Sequence, residues 1–196
     1  MTKQAIFEFF KIGDLLDLPA AIWTILSLPK EERDRQYRRL LAVNGHDLSY
    51  EWFQEAYEEE LAQRKKSKQD FTPKEVAQLC SQITGTPRGI IHEPTAGNGS
   101  MIIADWWVRC RKGFPWEFFP SENMVDCWEL SDRSVPILLL NLSIRGIMGY
   151  VHHGDVLEKT EKARYVLLNR RDDAFAFSEV IRDENMRMRI IKDMSL

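Results

Sequence analysis

The spacing of apolar and polar residues predicts helices in the first third of the chain. An apolar pattern of helical period runs over 6–16, and Leu18-Pro19 then interrupts it. A second helix is predicted over 20–28. A third is predicted over 29–42, because Pro29 suits the first turn of a helix.

A further helix is predicted from Ser49, as its N-cap, to about Lys66. Residues 1–66 are therefore expected to form a helical N-terminal region, and residues 67–196 a second region. The basic run Arg64–Lys68 at the boundary has two interpretations. It suits a solvated helix end, and it equally suits a contact with phosphate groups.

Short apolar runs that each end in a small or polar residue follow in the second region. The runs are separated at βαβ spacing, with a long apolar helix predicted from Ser134 to about Arg145. This order predicts an α/β fold in which four strands end along one ligand-binding edge of a parallel sheet. One more strand is expected over 186–191. The four runs are Ile90–Glu93, Val125–Glu129, Tyr150–Asp155 and Ala163–Asn169.

The turn after the first strand carries the most informative residues. It reads Glu93-Pro94-Thr95-Ala96-Gly97-Asn98-Gly99, and its two glycines allow a sharp turn and a close approach by a ligand. No third glycine follows at the dinucleotide spacing, which favours a nucleoside cofactor without a pyrophosphate over NAD. Glu129, at the end of the second strand, is placed to accept hydrogen bonds from ribose hydroxyls.

Composition excludes several classes of protein. The chain has 196 residues, 44% of them hydrophobic and 29% charged, which is typical of a globular protein. The net charge of −3 provides no overall basic field, and no apolar run is long enough to cross a bilayer. Three scattered cysteines and the absence of a signal-peptide pattern favour reduced thiols in a cytoplasmic protein, without a metal site.

Taken in order, these motifs resemble those of S-adenosylmethionine (SAM)-dependent adenine-N6 DNA methylases. The resemblance rests on Phe71-Thr72-Pro73, the 93–99 turn, Glu129 and Gly154-Asp155, and it covers about residues 68 to 178. The chain is most similar to modification subunits of type I restriction systems, and within them to short methylase-like proteins of bacteriophages and mobile elements. The resemblance implies a truncated Rossmann-like methyltransferase sheet with an N-terminal helical region.

The resemblance also implies roles for individual residues. Phe71 and Thr72 would border the methionine end of SAM, and Glu93 would lie near its amino group or the loop amides. Glu129 would bind the ribose, and Leu130 would pack on the adenine. The remaining cofactor-binding residues implied are Ala96, Gly97, Asn98, Gly99 and Asp155, the last as acceptor for the adenine amino group.

The catalytic residue implied by the family pattern is Asn169. Adenine-N6 methylases carry Asn or Asp, two prolines and an aromatic residue after the fourth strand, and the polar side chain accepts a hydrogen bond from the target amino group. In this sequence Asn169 is followed by Arg170-Arg171. Those arginines would place positive charge beside a sulfonium unless Asp172 and Asp173 neutralise them.

Three functions remain open on this sequence. The first is adenine-specific DNA methylation, alone or with a partner. The second is a SAM-binding module or regulator, without chemistry, in a restriction-modification or phage complex. The third is methylation of another amino group, in RNA or protein. The resemblance implies DNA as partner and leaves open a specificity subunit or a second copy of the chain.

Two further features have competing interpretations. His152-His153 suggests a metal ligand or a general base, but adjacent strand residues point to opposite faces and cannot easily share one ion. The aromatic segment Phe114–Pro120 is too irregular for a helix. It would either pack against its own domain or stack on single-stranded or flipped bases.

Overall fold

The computed structural model of the chain describes residues 1–57, 72–84 and 88–184. The basic run 64–68, Phe71 and the strand expected over 186–191 lie outside these residues. The helices of the described part are α1 (Lys3–Phe10), α2 (Leu18–Leu26), α3 (Lys30–Val43), α4 (Lys74–Thr84), α5 (Ser100–Cys110) and α6 (Ser134–Ile144). The apolar spacing predicted α2, α3 and α6 to within a few residues, whereas the pattern over 6–16 is divided between α1 and a separate 3-10 turn at Leu15–Asp17.

The strands form one mixed sheet in the order in which they occur in the chain. β1, β2 and β3 are parallel, as the βαβ spacing predicted, whereas β4 is antiparallel to β3 and β5 is antiparallel to β4. The strands of the described part are β1 (Ile91–Glu93), β2 (Val125–Glu129), β3 (Gly149–Asp155), β4 (Thr160–Leu168) and β5 (Glu179–Arg182).

The expectation that the fourth strand runs parallel to the first three is wrong. Asp155 at the end of β3 is paired with Thr160 at the start of β4, so the two strands form a hairpin. A parallel return would need a crossover of roughly a dozen residues, and the chain between Asp155 and Thr160 is far shorter. β4 therefore ends beside the beginning of β3, where Leu167 is paired with Gly149.

Helix α6 lies in the centre of the fold. All of its residues are buried, and it packs against β4 and β5 on one side and against α2 on the other. The Tyr37 hydroxyl from α3 makes a buried hydrogen bond of 2.8 Å with the Ser143 hydroxyl of α6. The N-terminal helices and the sheet thus share one hydrophobic core. The division at residue 66 stays a prediction.

The helix that was expected to begin after Ser49 begins several residues later. The Ser49 backbone N–H donates to Asp47, and the helical residues before the end of the first described range are 54–57. The Glu51 carboxylate accepts hydrogen bonds from the N–H groups of Phe53 and Gln54. Glu51, and not Ser49, therefore satisfies the free N–H groups where this helix begins.

Candidate functional site

The parallel strands bring three acidic residues to one edge of the sheet, here called the carboxyl edge. Glu93 ends β1, Glu129 ends β2, and Asp155 ends β3. Register places Glu129 beside His153, two residues before Asp155. The carboxyl ends of parallel strands are where α/β folds bind nucleotide-like ligands. The structure therefore brings together the acidic residues that the sequence pattern singled out.

The glycine turn between β1 and α5 has the backbone conformation that only glycine adopts readily. Gly97 has φ +55° and Gly99 has φ +98°. A Cβ atom at Gly99 would lie 3.0 Å from Leu138 Cδ1 of α6, whereas one at Gly97 would meet nothing within 4 Å. Gly99 is thus needed for packing against α6. Gly97 leaves open space above the turn.

Glu129 joins this turn to the end of β2. Its Oε2 accepts a hydrogen bond from the Gly97 N–H at 2.7 Å, and its Oε1 accepts one from the Ser131 N–H at 2.7 Å. The Ala96 N–H also donates to the Trp128 carbonyl oxygen. A carboxylate has about four lone-pair sites, so each oxygen keeps a second site for a ligand hydroxyl.

The other acids at this edge have local partners. Glu93 Oε1 accepts hydrogen bonds from the N–H and the hydroxyl of Thr95. Asp155 accepts two hydrogen bonds in the hairpin turn, from the N–H groups of Leu157 and Glu158, and both fall on Oδ1. Leu130, next to Glu129, is 55% exposed and offers an apolar surface at the same edge.

A buried polar network holds the turn from behind. The Asn141 side-chain amide donates to the Asn98 carbonyl oxygen at 3.0 Å and to Glu51 Oε1 at 2.8 Å. Burial raises the pKa of Glu51 above its ordinary value. Sequence reasoning missed this network. Its signal was Asn141 itself, a polar residue within an otherwise apolar helix.

Arg145 connects the same network to the segment before the turn. The guanidinium donates to the Leu48 and Tyr50 carbonyl oxygens at 2.9 and 2.5 Å, and it lies 4.9 Å from the centre of the Trp52 ring. Burial lowers its pKa to about 9, so the group stays charged at neutral pH. Through these contacts, Arg145 holds residues 48–52 against the C-terminal end of α6.

The side chain of Gln54 links Thr72 to the residue that follows the glycine turn. The Gln54 amide donates to the Thr72 carbonyl oxygen at 3.2 Å, and the Ser100 hydroxyl donates to Gln54 Oε1 at 3.2 Å. Ser100 begins α5, directly after the turn. Thr72 is therefore close to the glycine turn, and its place at the methionine end of SAM stays a prediction from the resemblance. Its neighbour Phe71 lies outside the described residues.

Asn169 does not join this group. It follows β4 and so lies at the opposite edge of the sheet, here called the amino edge, where β1 to β3 begin. Asn169 is 2% exposed, and its amide donates to the carbonyl oxygens of Gly146, Asp173 and Ala176. These bonds give Asn169 a structural role in the turn after β4.

The two arginines after Asn169 lie at the amino edge as well. Arg170 forms an ion pair with Glu179 at 2.8 Å, and Arg171 forms one with Asp173 at 2.9 Å. Asp172 instead accepts hydrogen bonds from the N–H and hydroxyl of Ser121. Both arginines therefore lie at the opposite edge of the sheet from Glu129.

The two histidines of β3 have separate partners, as alternation along a strand predicted. His152 lies between Asp126 and Glu161, at 2.8 and 2.6 Å, and its ring stacks on Trp128. His153 Nε2 lies 3.0 Å from Asp132, and burial lowers the His153 pKa below its ordinary value. Within residues 1–57, 72–84 and 88–184, no three or more His, Cys, Asp or Glu side chains are arranged so that they could hold a metal ion.

Comparison with known proteins assigns the family. The family model for N-6 DNA methylases matches residues 46–175, well over half of the chain. No curated protein and no solved structure matches the chain. No helix in the described residues is long and apolar enough to cross a membrane. The match includes the glycine turn, Glu129 and residues 48–52, which Arg145 holds against α6. The chain belongs to the N-6 DNA methylase family.

Proposed function

We propose that the carboxyl edge of the sheet binds SAM, and that the chain is a SAM-dependent DNA methyltransferase of the adenine-N6 type whose transfer step depends on groups beyond this edge. The observation that carries the proposal is the position of Glu129. Its carboxylate holds the glycine turn through Gly97 and keeps acceptor sites for two neighbouring hydroxyls. A ribose presents such a pair of hydroxyls.

The residues at this edge fit the chemistry of SAM. Glu129 would accept the ribose hydroxyls, Leu130 would pack on the adenine ring, and Asp155 would use Oδ2 to accept from the adenine amino group. A Cβ atom at Gly97 would meet nothing within 4 Å, so the surface above this residue is open. When bound, SAM supplies a methyl group on a sulfonium. The role of the chain at this edge is to bind and orient it.

The acceptor for the target amino group is not evident at the carboxyl edge. Asn169 stays the prediction of the family pattern, and the geometry opposes it, because the residue is buried at the amino edge. We propose that a partner subunit completes the adenine pocket. The sequence alternative of a partner-dependent methylase is favoured on this ground.

A second candidate function is a SAM-binding module without transfer activity. The observation in its favour is the same structural role of Asn169, whose amide donors are taken up by backbone carbonyl groups. Both candidates require SAM at Glu129. They differ only in whether methyl groups reach DNA. The remaining alternative is methylation of an amino group in RNA or protein. It predicts label on that polymer instead of on DNA.

One assay separates these functions. The full chain is incubated with SAM radiolabelled in the methyl group and with unmethylated DNA, RNA or protein, and label on each polymer is counted. The same preparation is titrated with SAM in a calorimeter. Label on DNA above a no-enzyme control supports the methyltransferase, and SAM binding without label supports the silent module. Absence of SAM binding by folded protein contradicts both.

A further inference from the structure

The segment between α5 and β2 exposes two aromatic rings that pack on each other. Phe114 and Trp116 are 59% and 68% exposed, with their ring centres 4.8 Å apart and their planes within 5° of parallel. Phe118 of the same segment is buried and packs edge-on against Trp106. The segment is therefore anchored by Phe118, and this anchor leaves the other two rings at the surface.

A small pocket adjoins the ring pair. It has a volume of about 260 Å³ and lies between the end of α5 and the aromatic turn, with Phe114, Lys112 and Asn123 in its lining. Pockets for drug-sized ligands begin at roughly 300 Å³, so this one suits a single planar group such as a nucleobase. Phe114 belongs to both features, because it lines the pocket and stacks on Trp116.

Two cations precede the rings. Arg111 and Lys112 are exposed, and neither forms an ion pair in the part of the chain that the structure describes. Arg88, on the far side of the pocket, is by contrast paired with Glu122 at 2.9 Å. Unpaired cations beside exposed rings match the two needs of a single nucleic-acid strand, which are charge for phosphate and a flat surface for bases.

The position of this surface separates it from the proposed cofactor site. The Gly89 N–H donates to the Glu122 carbonyl oxygen, and Arg109 donates to the Gly89 carbonyl oxygen. These bonds hold the segment against the start of β1, at the amino edge. Glu129 lies at the opposite edge, so occupation of one site leaves the other accessible.

We propose that Arg111, Lys112, Phe114 and Trp116, here called the 111–116 surface, bind single-stranded nucleic acid. One base extends the stack formed by the two rings, a neighbouring base enters the pocket, and the cations bind the adjoining phosphates. A duplex offers no open base face, so it binds through phosphate contacts alone. The inference goes beyond the proposed function and does not depend on SAM.

The test is fluorescence anisotropy of a labelled strand of about 16 nucleotides, the upper end of known single-strand site sizes. The full chain is titrated into single-stranded DNA, single-stranded RNA of the same sequence, and duplex DNA. Tighter binding of either single strand than of the duplex is expected, and the two single-stranded arms identify the polymer. Binding of the duplex as tightly as the single strands would overturn the proposal.

Variants then locate the binding. Trp116→Ala and Phe114→Ala are each expected to weaken single-strand binding about 5- to 100-fold, the range for loss of one base–aromatic stack. Lys112→Glu should weaken binding and reduce the slope of log affinity against log salt by about 0.7 or more. Lys11→Glu and Leu157→Ala are matched exposed controls away from this surface and should change neither quantity.

Folding and cofactor binding are measured on the same samples. Circular dichroism and SAM calorimetry of Trp116→Ala should match those of the unaltered chain, because its ring is exposed at the amino edge. Loss of strand binding in a variant that is folded supports the 111–116 surface whether or not SAM binds. Unchanged strand binding in both ring variants would overturn it and leave the SAM proposal standing.

Discussion

The carboxylate of Glu129 accepts the backbone N–H of Gly97 across 2.7 Å, from the end of the second strand to the turn after the first. This bond holds the turn at the carboxyl edge before any ligand is bound. Together with the bond from the Ser131 N–H, it fixes the orientation of the carboxylate. The first two predictions follow from these two residues.

Replacing Glu129 should weaken SAM binding directly. Glu129→Ala removes acceptors for the ribose hydroxyls and releases the Gly97 N–H, and we expect a loss of about 1.5–3 kcal/mol in binding free energy. Isothermal titration calorimetry with SAM measures this loss. Glu31→Ala removes an exposed carboxylate in the first turn of α3, and as the control it should leave affinity unchanged. Equal affinities for both variants would remove the ribose assignment.

Replacing Gly97 with alanine should show an effect on SAM binding in addition to the effect of backbone strain on stability. Gly97 and Gly45 both have a left-handed backbone, at φ +55° and +63°, and a Cβ at either meets nothing within 4 Å. Alanine at each position should lower the free energy of unfolding by about 1–2 kcal/mol. Only Gly97→Ala should also weaken SAM binding, because its Cβ enters the proposed site. A similar change in affinity for Gly45→Ala would contradict this placement.

Asn169 should behave as a structural residue. Asn169→Ala leaves buried carbonyl oxygens without a donor and should lower the free energy of unfolding by about 1–3 kcal/mol. Asn169→Asp should cost more, because it turns a carboxylate toward the oxygens of Gly146, Asp173 and Ala176. Urea denaturation measures both. A catalytic role predicts the reverse pattern, in which Asp preserves transfer, Ala abolishes it, and stability is unchanged in both.

Glu51 should make stability depend on pH. Burial raises its pKa in the folded protein above that of the unfolded chain, so its contribution is fully present below about pH 4.3 and is lost as the pH rises through the folded-state pKa. Glu51→Gln removes this component. The stability of the variant relative to the unaltered chain should therefore improve as the pH rises from about 5 upward.

Urea denaturation across that pH range tests the Glu51 prediction. Glu55→Gln is a matched control, because Glu55 is an exposed carboxylate in the same segment. Its effect on the free energy of unfolding should be small at each pH. If Glu51→Gln and Glu55→Gln changed stability in parallel with pH, the buried network around Asn141 would not depend on this carboxylate.

Local patterns predicted most elements of the fold, and they misled on one connection. The apolar runs placed β1 to β3, and the long apolar run from Ser134 to about Arg145 predicted α6. The βαβ spacing of the runs also predicted a parallel fourth strand. The length of the connection argued against a parallel strand, because the chain after Asp155 is too short for a crossover. Since β4 is antiparallel to β3, Asn169 lies at the amino edge.

Other features of the site could not be found from sequence. Glu51 reads as an ordinary acid in the first turn of the helix predicted from Ser49, and only the fold shows that it meets Asn141, 90 positions later in the chain. Contacts of such separation follow from packing, which periodicity does not specify. The exposed stack of Phe114 on Trp116 was one of two open interpretations. Burial of Phe118 confirms packing against its own domain for that residue, whereas base stacking by Phe114 and Trp116 stays a proposal.

The most direct test of the account is to map where SAM binds. A titration of ¹⁵N-labelled protein with SAM, followed through its backbone amide signals, reports on every edge of the sheet at once. We predict that the shifted signals cluster at residues 95–101, 129–133 and 155–158, all at the carboxyl edge. Shifts centred instead on residues 169–176 at the amino edge, or no shifts at saturating SAM, would contradict the assignment of Glu129.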